Sequence, residues 1–147
     1  MATGTTTAED GPAPKTLSVD ATWDGGYRCR VRARQFEILV DEPLDSGGDD
    51  TGPQPTEIFL ASLASCFALA VGHVARKRGI ELPDLSVRAV GEYDGPRFVN
   101  LRVEVTSSHP RAELERLSER AASVCYVSNT LRAVDSVDVV VRQHGAD

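Results

Sequence analysis

Residues 55–79, PTEIFLASLASCFALAVGHVARKRG, constrain the fold of this chain more than any other stretch. Pro55 and Glu57 suit the start of a helix, because proline fits the first turn and the helix dipole favours negative charge there. The basic residues 76–78 and Gly79 suit its end. Apolar residues occupy every side between these ends, which predicts a helix about 33 Å long that is buried on every side.

A small sheet packed on one side cannot cover a helix of this length. The sequence therefore predicts a second sheet, a second subunit, or both, around it. The longest uncharged apolar run, residues 58–71, has 14 residues. A bilayer crossing needs about 20, so no membrane span is expected.

The chain before the long helix predicts a three-stranded antiparallel sheet over residues 16–40, with a DGG turn at 24–26. Four arginines fall at alternate positions and therefore share one face of the second strand. The simplest interpretation of this arginine row is a solvated sheet face, and Cys29 on the opposite face is most simply a small core residue. The arginines of the row are Arg28, Arg30, Arg32 and Arg34.

The chain after the long helix predicts a hairpin, a helix pair and a closing strand. Residues 84–93 and 97–107 flank a DGP turn, residues 109–125 form an amphipathic helix, and residues 136–142 form the last strand. The predicted order is strands, the long helix, strands, helices and a final strand. This order is typical of an α+β fold, with antiparallel sheets packed around a long buried central helix. The residues expected on the inner face of the amphipathic helix are Leu114, Leu117, Ala121, Val124 and Cys125.

Length and charge limit the class of protein. The 147 residues predict a disordered tail over 1–15 and a single domain over 16–147. The net charge of −6 argues against nucleic acid or an anionic membrane as partner. The tail has neither a basic leader nor an apolar run, so a cytoplasmic protein is expected. In that reducing compartment, cysteines that matter are reactive thiols rather than structural disulfides.

Cys66 and Cys125 are the candidate reactive residues. Both are expected on inward helix faces and could meet in space, although 59 positions separate them. A buried cysteine is ordinarily a small hydrophobe. Three features favour a working pair. The residues around Cys66 are small, and a Gly/Asp/Pro loop over 41–55 precedes the helix. The arginine row offers a cation, which stabilises a thiolate. His73 shares the Cys66 helix face, where a structural role is the simpler interpretation. No histidine and cysteine pair has metal-ligand spacing, so no metal is expected.

Two motifs carry the cysteine pair: GPQPTEIFLASLASCFALAV at 52–71 and CYVSNTL at 125–131. Together, in this order, they closely resemble the OsmC/Ohr family. The resemblance runs from about residue 21 to the last predicted strand. It implies an OsmC-like α+β domain that forms an intertwined homodimer with active sites at the subunit interface. It also implies a cysteine-based, thiol-dependent peroxidase for organic hydroperoxides.

The resemblance implies a role for individual residues. Cys66 matches the peroxidatic cysteine and Cys125 matches the resolving cysteine, and the two would form a Cys66–Cys125 disulfide. An external small dithiol or protein dithiol would reduce this disulfide, and no cofactor is expected. Arg28, with Arg30 as the alternative, matches the arginine that holds the thiolate, and Glu57 matches the glutamate that orients it. Nine residues separate Glu57 from Cys66, about 13 Å along a helix. Glu57 is therefore expected from the other subunit or from a bent helix start.

Two positions depart from the pattern of members with established peroxidase activity. Tyr126 stands where those members usually have proline, and Glu57 lies nine rather than ten residues before Cys66, with Thr56 at ten. The PTE form resembles a sister branch of the family. The alternative function is a non-catalytic protein of the same fold that binds an apolar small molecule or acts as a redox sensor. A peroxide-reactive protein that serves a thiol-transfer substrate is a third possibility.

Overall fold

A computed structural model describes residues 13–143 of the chain. It divides into two compact units, residues 1–54 and 55–147. The first unit contains an antiparallel sheet in the order β1-β2-β3, which confirms the three-stranded sheet predicted from the sequence. Its strands are β1 (Asp20–Gly25), β2 (Arg28–Ala33) and β3 (Phe36–Val40).

The two turns of this sheet depend on left-handed backbone. Gly25, the last residue of β1, has φ of 99°, and Gly26, with φ of 56°, begins the turn between β1 and β2. Arg34 has φ of 56° in the turn between β2 and β3, and its guanidinium lies 5.1 Å from the centre of the Phe36 ring. Arg34 therefore does not continue the arginine row of β2, because the strand has already ended at Ala33.

The loop after β3 is organised around a buried carboxylate. Asp41, only 1% exposed, accepts hydrogen bonds from the backbone N–H groups of Glu42, Asp49 and Thr51 at 2.9, 3.2 and 3.1 Å. It also accepts one from the Thr51 hydroxyl at 2.7 Å. The Thr51 hydroxyl is the main cause of the lowered pKa of Asp41; burial opposes it and the three N–H groups add to it. One acidic side chain thus fixes a loop rich in glycine and aspartate.

The second unit begins with the predicted long helix. The helix packs against the antiparallel hairpin of two strands and against two further helices. The positions of these elements confirm the predicted hairpin and helix pair. They are α1 (Pro55–Lys77), β4 (Ser86–Tyr93), β5 (Phe98–Thr106), α2 (Arg111–Val124) and α3 (Tyr126–Ala133). The core residues that join the helices are Phe67, Ala70, Val71, Ala75, Leu117, Ala121 and Cys125.

Helix α1 is buried along one face rather than on every side. Leu69 in the middle of the helix is 76% exposed, because the hairpin, α2 and α3 cover only the opposite face. By length and composition alone α1 could cross a membrane, a test that the core helix of a soluble protein also passes. The buried residues of α1 are Leu63, Phe67, Ala70, Val71 and Ala75.

Two expectations for the end of the chain were wrong. Val124 is largely exposed rather than part of the inner face of α2. Residues 136–142 form no strand: within the described chain the segment after α3 is exposed and pairs with no strand. Alternating valines favour a strand, but a strand also needs a neighbour with free backbone groups. The predicted tail lies mostly outside residues 13–143, and the single-domain organisation stays a prediction. The α+β class with antiparallel sheets and a long helix is confirmed.

Candidate active site

The break between α2 and α3 brings Cys125 to Cys66. Cys125 ends α2 by donating its N–H to the carbonyl of Ala121 at 2.9 Å. It also starts α3, since its carbonyl accepts the Asn129 N–H at 3.0 Å. Its backbone is extended, with φ of −76° and ψ of 109°, so the side chain turns toward the middle of α1. There Cys66 packs beside Cys125, and both residues are free thiols.

The start of α3 determines the ionisation of Cys125. Burial is the largest single influence and raises the pKa of this thiol. The side chain and N–H of Ser128, the Cys66 thiol and the N–H of Val127 together outweigh burial, and the pKa of Cys125 lies below its ordinary value. The Ser128 hydroxyl itself donates to the Cys125 carbonyl at 3.4 Å. The two N–H groups belong to the first turn of α3, where helix N–H groups lack partners within the helix. Cys125 is therefore a buried thiol prepared to carry negative charge.

The two sulfurs differ in access. Cys125 is completely buried, whereas Cys66 is partly exposed and borders a pocket of about 740 Å³. The surface of this pocket is mostly apolar. A small apolar molecule in the pocket would therefore meet the Cys66 sulfur and not that of Cys125. The residues that line it are Cys66, Leu69, Ala70, His73, Ser123, Val124, Tyr126, Asn129 and Thr130.

His73 lies two helical turns after Cys66 and belongs to the wall of the same pocket. A smaller cleft of about 220 Å³ continues beyond it and shares His73, Ser123 and Val124 with the thiol pocket. Basic side chains dominate the far end of this cleft. They are Lys77, Arg78 and Arg120.

The candidate arginines belong to residues 1–54. Arg30 is paired with Asp24 at 2.9 Å and lies 3.8 Å from Glu37. Arg28 is partly buried in β2 and, within residues 13–143, forms no ion pair. The role of either arginine beside a thiolate stays a prediction.

Glu57 does not join the thiols within this chain. It lies in the first turn of α1, which runs without interruption to Lys77, and it is not among the residues that line the thiol pocket. Nine residues separate it from Cys66, about 13 Å along the axis. Cys29 lies in β2, opposite Trp23 and Val40.

Sequence reasoning missed the two residues that act on Cys125. Val127 and Ser128 contribute to the lowered pKa of the Cys125 thiol, and Cys125 occupies the position immediately before α3. A helix that starts directly after a cysteine is the signal that could have found them. Within residues 13–143, no group of three or more histidine, cysteine or acidic residues could hold a metal ion.

The fold and the site define a class: an α+β protein in which a long helix and the start of a later helix hold two reduced thiols beside an apolar pocket. Residues 47–140 match the family model for OsmC-like proteins. The chain belongs to this OsmC/Ohr family.

Named relatives support the same assignment. An organic hydroperoxide resistance protein from Xanthomonas axonopodis pv. citri is 35% identical over 141 residues, covering 88% of this chain and 96% of the relative. A solved organic hydroperoxide resistance protein from Elizabethkingia anophelis, with thiocyanate bound, is 28% identical with a TM-score of 0.63, covering 82% and 91% of the two chains. One from Legionella pneumophila, named as a predicted redox protein, is 26% identical with a TM-score of 0.63, covering 83% and 93%.

Proposed function

We propose that the protein is a thiol-dependent peroxidase that reduces organic hydroperoxides to alcohols. One observation carries this proposal: Cys66 borders an apolar pocket while its sulfur contacts that of buried Cys125. A peroxidase of this kind needs one sulfur that the substrate can reach and a second that can react with the first. The named relatives, which are organic hydroperoxide resistance proteins, support the same chemistry.

The first step takes place at Cys66. Its thiolate attacks the outer oxygen of the hydroperoxide; the S–O bond forms, the O–O bond breaks, and the alkoxide takes a proton and leaves as the alcohol. Cys66 becomes a sulfenic acid. In this proposal the Arg28 guanidinium stabilises the Cys66 thiolate, and Glu57 orients that guanidinium. The apolar walls of the pocket favour an organic hydroperoxide over hydrogen peroxide.

The second step uses Cys125. Its thiolate attacks the Cys66 sulfur, an S–S bond forms, and hydroxide leaves and is protonated to water. An external small dithiol or protein dithiol then reduces the Cys66–Cys125 disulfide and is itself oxidised. No cofactor takes part in this cycle.

We also propose a cytoplasmic homodimer with no nucleic-acid or membrane partner. The exposed apolar face of α1 around Leu69 supports dimerisation, since isolated apolar helix faces of this kind usually have a partner. The exposed valines after α3 support it as well, because they pair with no strand within the described chain. A second subunit is also the source from which Glu57 would reach the thiol pair.

A thiol count tests the peroxidase. Wild type and three single variants, Cys66→Ser, Cys125→Ser and Cys29→Ser, are titrated with one equivalent of cumene hydroperoxide. We expect wild type and Cys29→Ser to lose two thiols and to gain a Cys66–Cys125 disulfide by mass spectrometry. Cys66→Ser should not react, and Cys125→Ser should stop at the sulfenic acid. Retention of all thiols in wild type would refute the proposal.

A binding or sensing protein of the same fold is the second candidate, and the volume of the thiol pocket, about 740 Å³, favours it. A pocket of this size can hold a small apolar molecule without any reaction. Binding alone would survive Cys66→Ser, whereas peroxidase activity would not. A sensor would form the disulfide but would not sustain turnover with a dithiol.

A further inference from the structure

We propose that Asn129 is a positioning residue that holds Cys125 in place for its attack on the Cys66 sulfenic acid. The side-chain amide of Asn129 joins the end of α2 to α3 across the break at Cys125. This inference rests on the proposed function and names a residue on which the rate of its second step depends.

The break between the helices leaves carbonyl groups for Asn129 to bind. The chain leaves the helical conformation at Cys125, so the last carbonyls of α2 lack the N–H groups that a continuous helix would supply. One of them, the carbonyl of Ser123, accepts a hydrogen bond from Asn129 Nδ2 at 3.1 Å. A side chain of α3 thus takes the place of a helical N–H at the end of α2.

Asn129 is also bonded to the residue in the break itself. Its backbone N–H donates to the carbonyl of Cys125 at 3.0 Å. One residue therefore contacts the last turn of α2 through its side chain and Cys125 through its backbone. These two bonds restrict the angle at which α3 leaves α2, and with it the position of Cys125 between the two helices.

Arg132 fixes the orientation of the Asn129 amide. The Nη1 atom of Arg132 donates to Asn129 Oδ1 at 3.3 Å. A backbone carbonyl only accepts hydrogen bonds and a guanidinium only donates them, so one orientation of the amide satisfies both neighbours. An amide turned over by half a revolution would lose both bonds. Asn129 is therefore held as a donor to α2.

The position of Cys125 matters for one step of the proposed cycle. The peroxide oxidises Cys66, which lies in the middle of α1 and borders the thiol pocket. The Cys125 thiolate then attacks the Cys66 sulfur; the S–S bond forms, the S–O bond breaks, and hydroxide leaves and is protonated to water. Only this second step requires the Cys125 sulfur to be aligned with its target. Loss of the Asn129 amide should slow the second step and spare the first.

Competition with dimedone, which reacts with sulfenic acids, isolates the second step. Cys29→Ser protein receives one equivalent of cumene hydroperoxide in the presence of excess dimedone. Mass spectrometry then measures the dimedone adduct on Cys66 and the Cys66–Cys125 disulfide. Both products form from the same sulfenic acid, so their ratio reports the rate at which Cys125 attacks and is independent of the rate at which the peroxide reacts.

Two variants in this background remove the donor to Ser123. Asn129→Ala and Asn129→Asp should each raise the ratio of adduct to disulfide about threefold to tenfold, the effect of losing one hydrogen bond that aligns a reacting group. Asn100→Ala is the matched control. It removes an asparagine whose Nδ2 also donates an exposed hydrogen bond, to Glu92 at 3.3 Å, and it should leave the ratio unchanged.

A further control separates positioning from access, because Asn129 also lines the thiol pocket. The rate of dimedone capture is measured in Cys125→Ser, which cannot form the disulfide, with and without Asn129→Ala, and we expect equal rates. A faster capture that accounts for the whole change in the ratio would overturn the inference. An unchanged ratio in Asn129→Ala, or a change only in Asn129→Asp, where a carboxylate adds charge, would also overturn it. Absence of both adduct and disulfide in the Cys29→Ser background would instead refute the proposed function.

Discussion

Cys125 is completely buried beside Cys66, which is partly exposed and borders the thiol pocket. The sulfur that a substrate can reach is therefore not the sulfur that lies at the start of α3. This division suits a two-thiol cycle, in which the accessible sulfur meets the peroxide and the buried sulfur then attacks it.

The ionisation of Cys125 should respond to its donors. Because the donors lower the pKa of Cys125, its thiolate forms at a lower pH than in a thiol without them. Ser128→Ala and Cys66→Ala each remove one of the side chains that lower this pKa and should move the midpoint of thiolate formation to higher pH. Ultraviolet absorbance of the thiolate, followed against pH in a Cys29→Ser background, measures this. A midpoint that stays in place or moves to lower pH in both variants would contradict the assigned donors.

Much of the fold could be predicted because its signals are local. The apolar run with Pro55 at one end and Gly79 at the other predicted α1 to within two residues of its end. Alternation and turn residues likewise predicted the first sheet and the hairpin of β4 and β5. The strand predicted over 136–142 failed because pairing is not local. Alternating valines describe one face of a strand and say nothing of a neighbour.

The candidate site was predicted in part, and for a different reason. Two cysteine motifs that resemble a known family pointed to Cys66 and Cys125, which the structure places in contact. The environment of Cys125 escaped notice because helix starts are recognised by Ser, Thr, Asp or Asn, and cysteine is not a usual cap. The place of Ser128 beside Cys125 can be predicted only once α3 is known to start at Tyr126.

Asp41 should make the stability of the protein depend on pH. Its pKa is lowered in the folded state, so its stabilisation is present above the unfolded pKa and is lost as pH falls through the folded pKa. Asp41→Asn should lower Tm near neutral pH and flatten the fall in Tm toward acid. Asp45→Asn, an exposed change of charge in the same loop, is the control and should retain the acid dependence of wild type. Parallel pH profiles for Asp41→Asn and wild type would contradict the role of Asp41.

Gly48 should tolerate no side chain. A Cβ atom at this position would lie 1.9 Å from the carbonyl oxygen of Glu42, so the loop backbone would have to move. Gly48→Ala should lower the free energy of unfolding by about 1–3 kcal/mol, the usual cost of overpacking. Ser46→Ala in the same loop removes only a 3.3 Å hydrogen bond to Asp45 and should change it by less than about 0.5 kcal/mol. Chemical denaturation measures the free energy of unfolding of both variants. Equal losses in Gly48→Ala and Ser46→Ala would argue against a tight loop.

The exposed face of α1 should mediate dimerisation. Leu69→Arg places a charge where the proposed partner packs, and it should shift the protein from dimer to monomer in light scattering. Leu44→Arg is the matched control, because Leu44 is 72% exposed against 76% for Leu69 and undergoes the same change. It should leave the molar mass unchanged. A monomeric wild type would remove the proposed dimer, and a dimeric Leu69→Arg would place its interface elsewhere.

Tyr126 should be replaceable by proline. Tyr126 is the first residue of α3, where proline is favoured because a helix leaves that N–H without an internal partner. The extended backbone of Cys125 is also the conformation that a residue before proline prefers. Tyr126→Pro should therefore change the free energy of unfolding by less than about 1 kcal/mol.

The same variant should keep the chemistry of the pair, because Val127 and Ser128, rather than Tyr126, lower the pKa of the Cys125 thiol. The Tyr126 side chain is 84% exposed, so its loss removes only part of one pocket wall. We expect disulfide formation with cumene hydroperoxide within about threefold of wild type in Tyr126→Pro and in the control Tyr126→Ala. A large gain confined to Tyr126→Pro would show that the native helix start limits the reaction. A large loss in both variants would assign the tyrosine ring to the binding of peroxide.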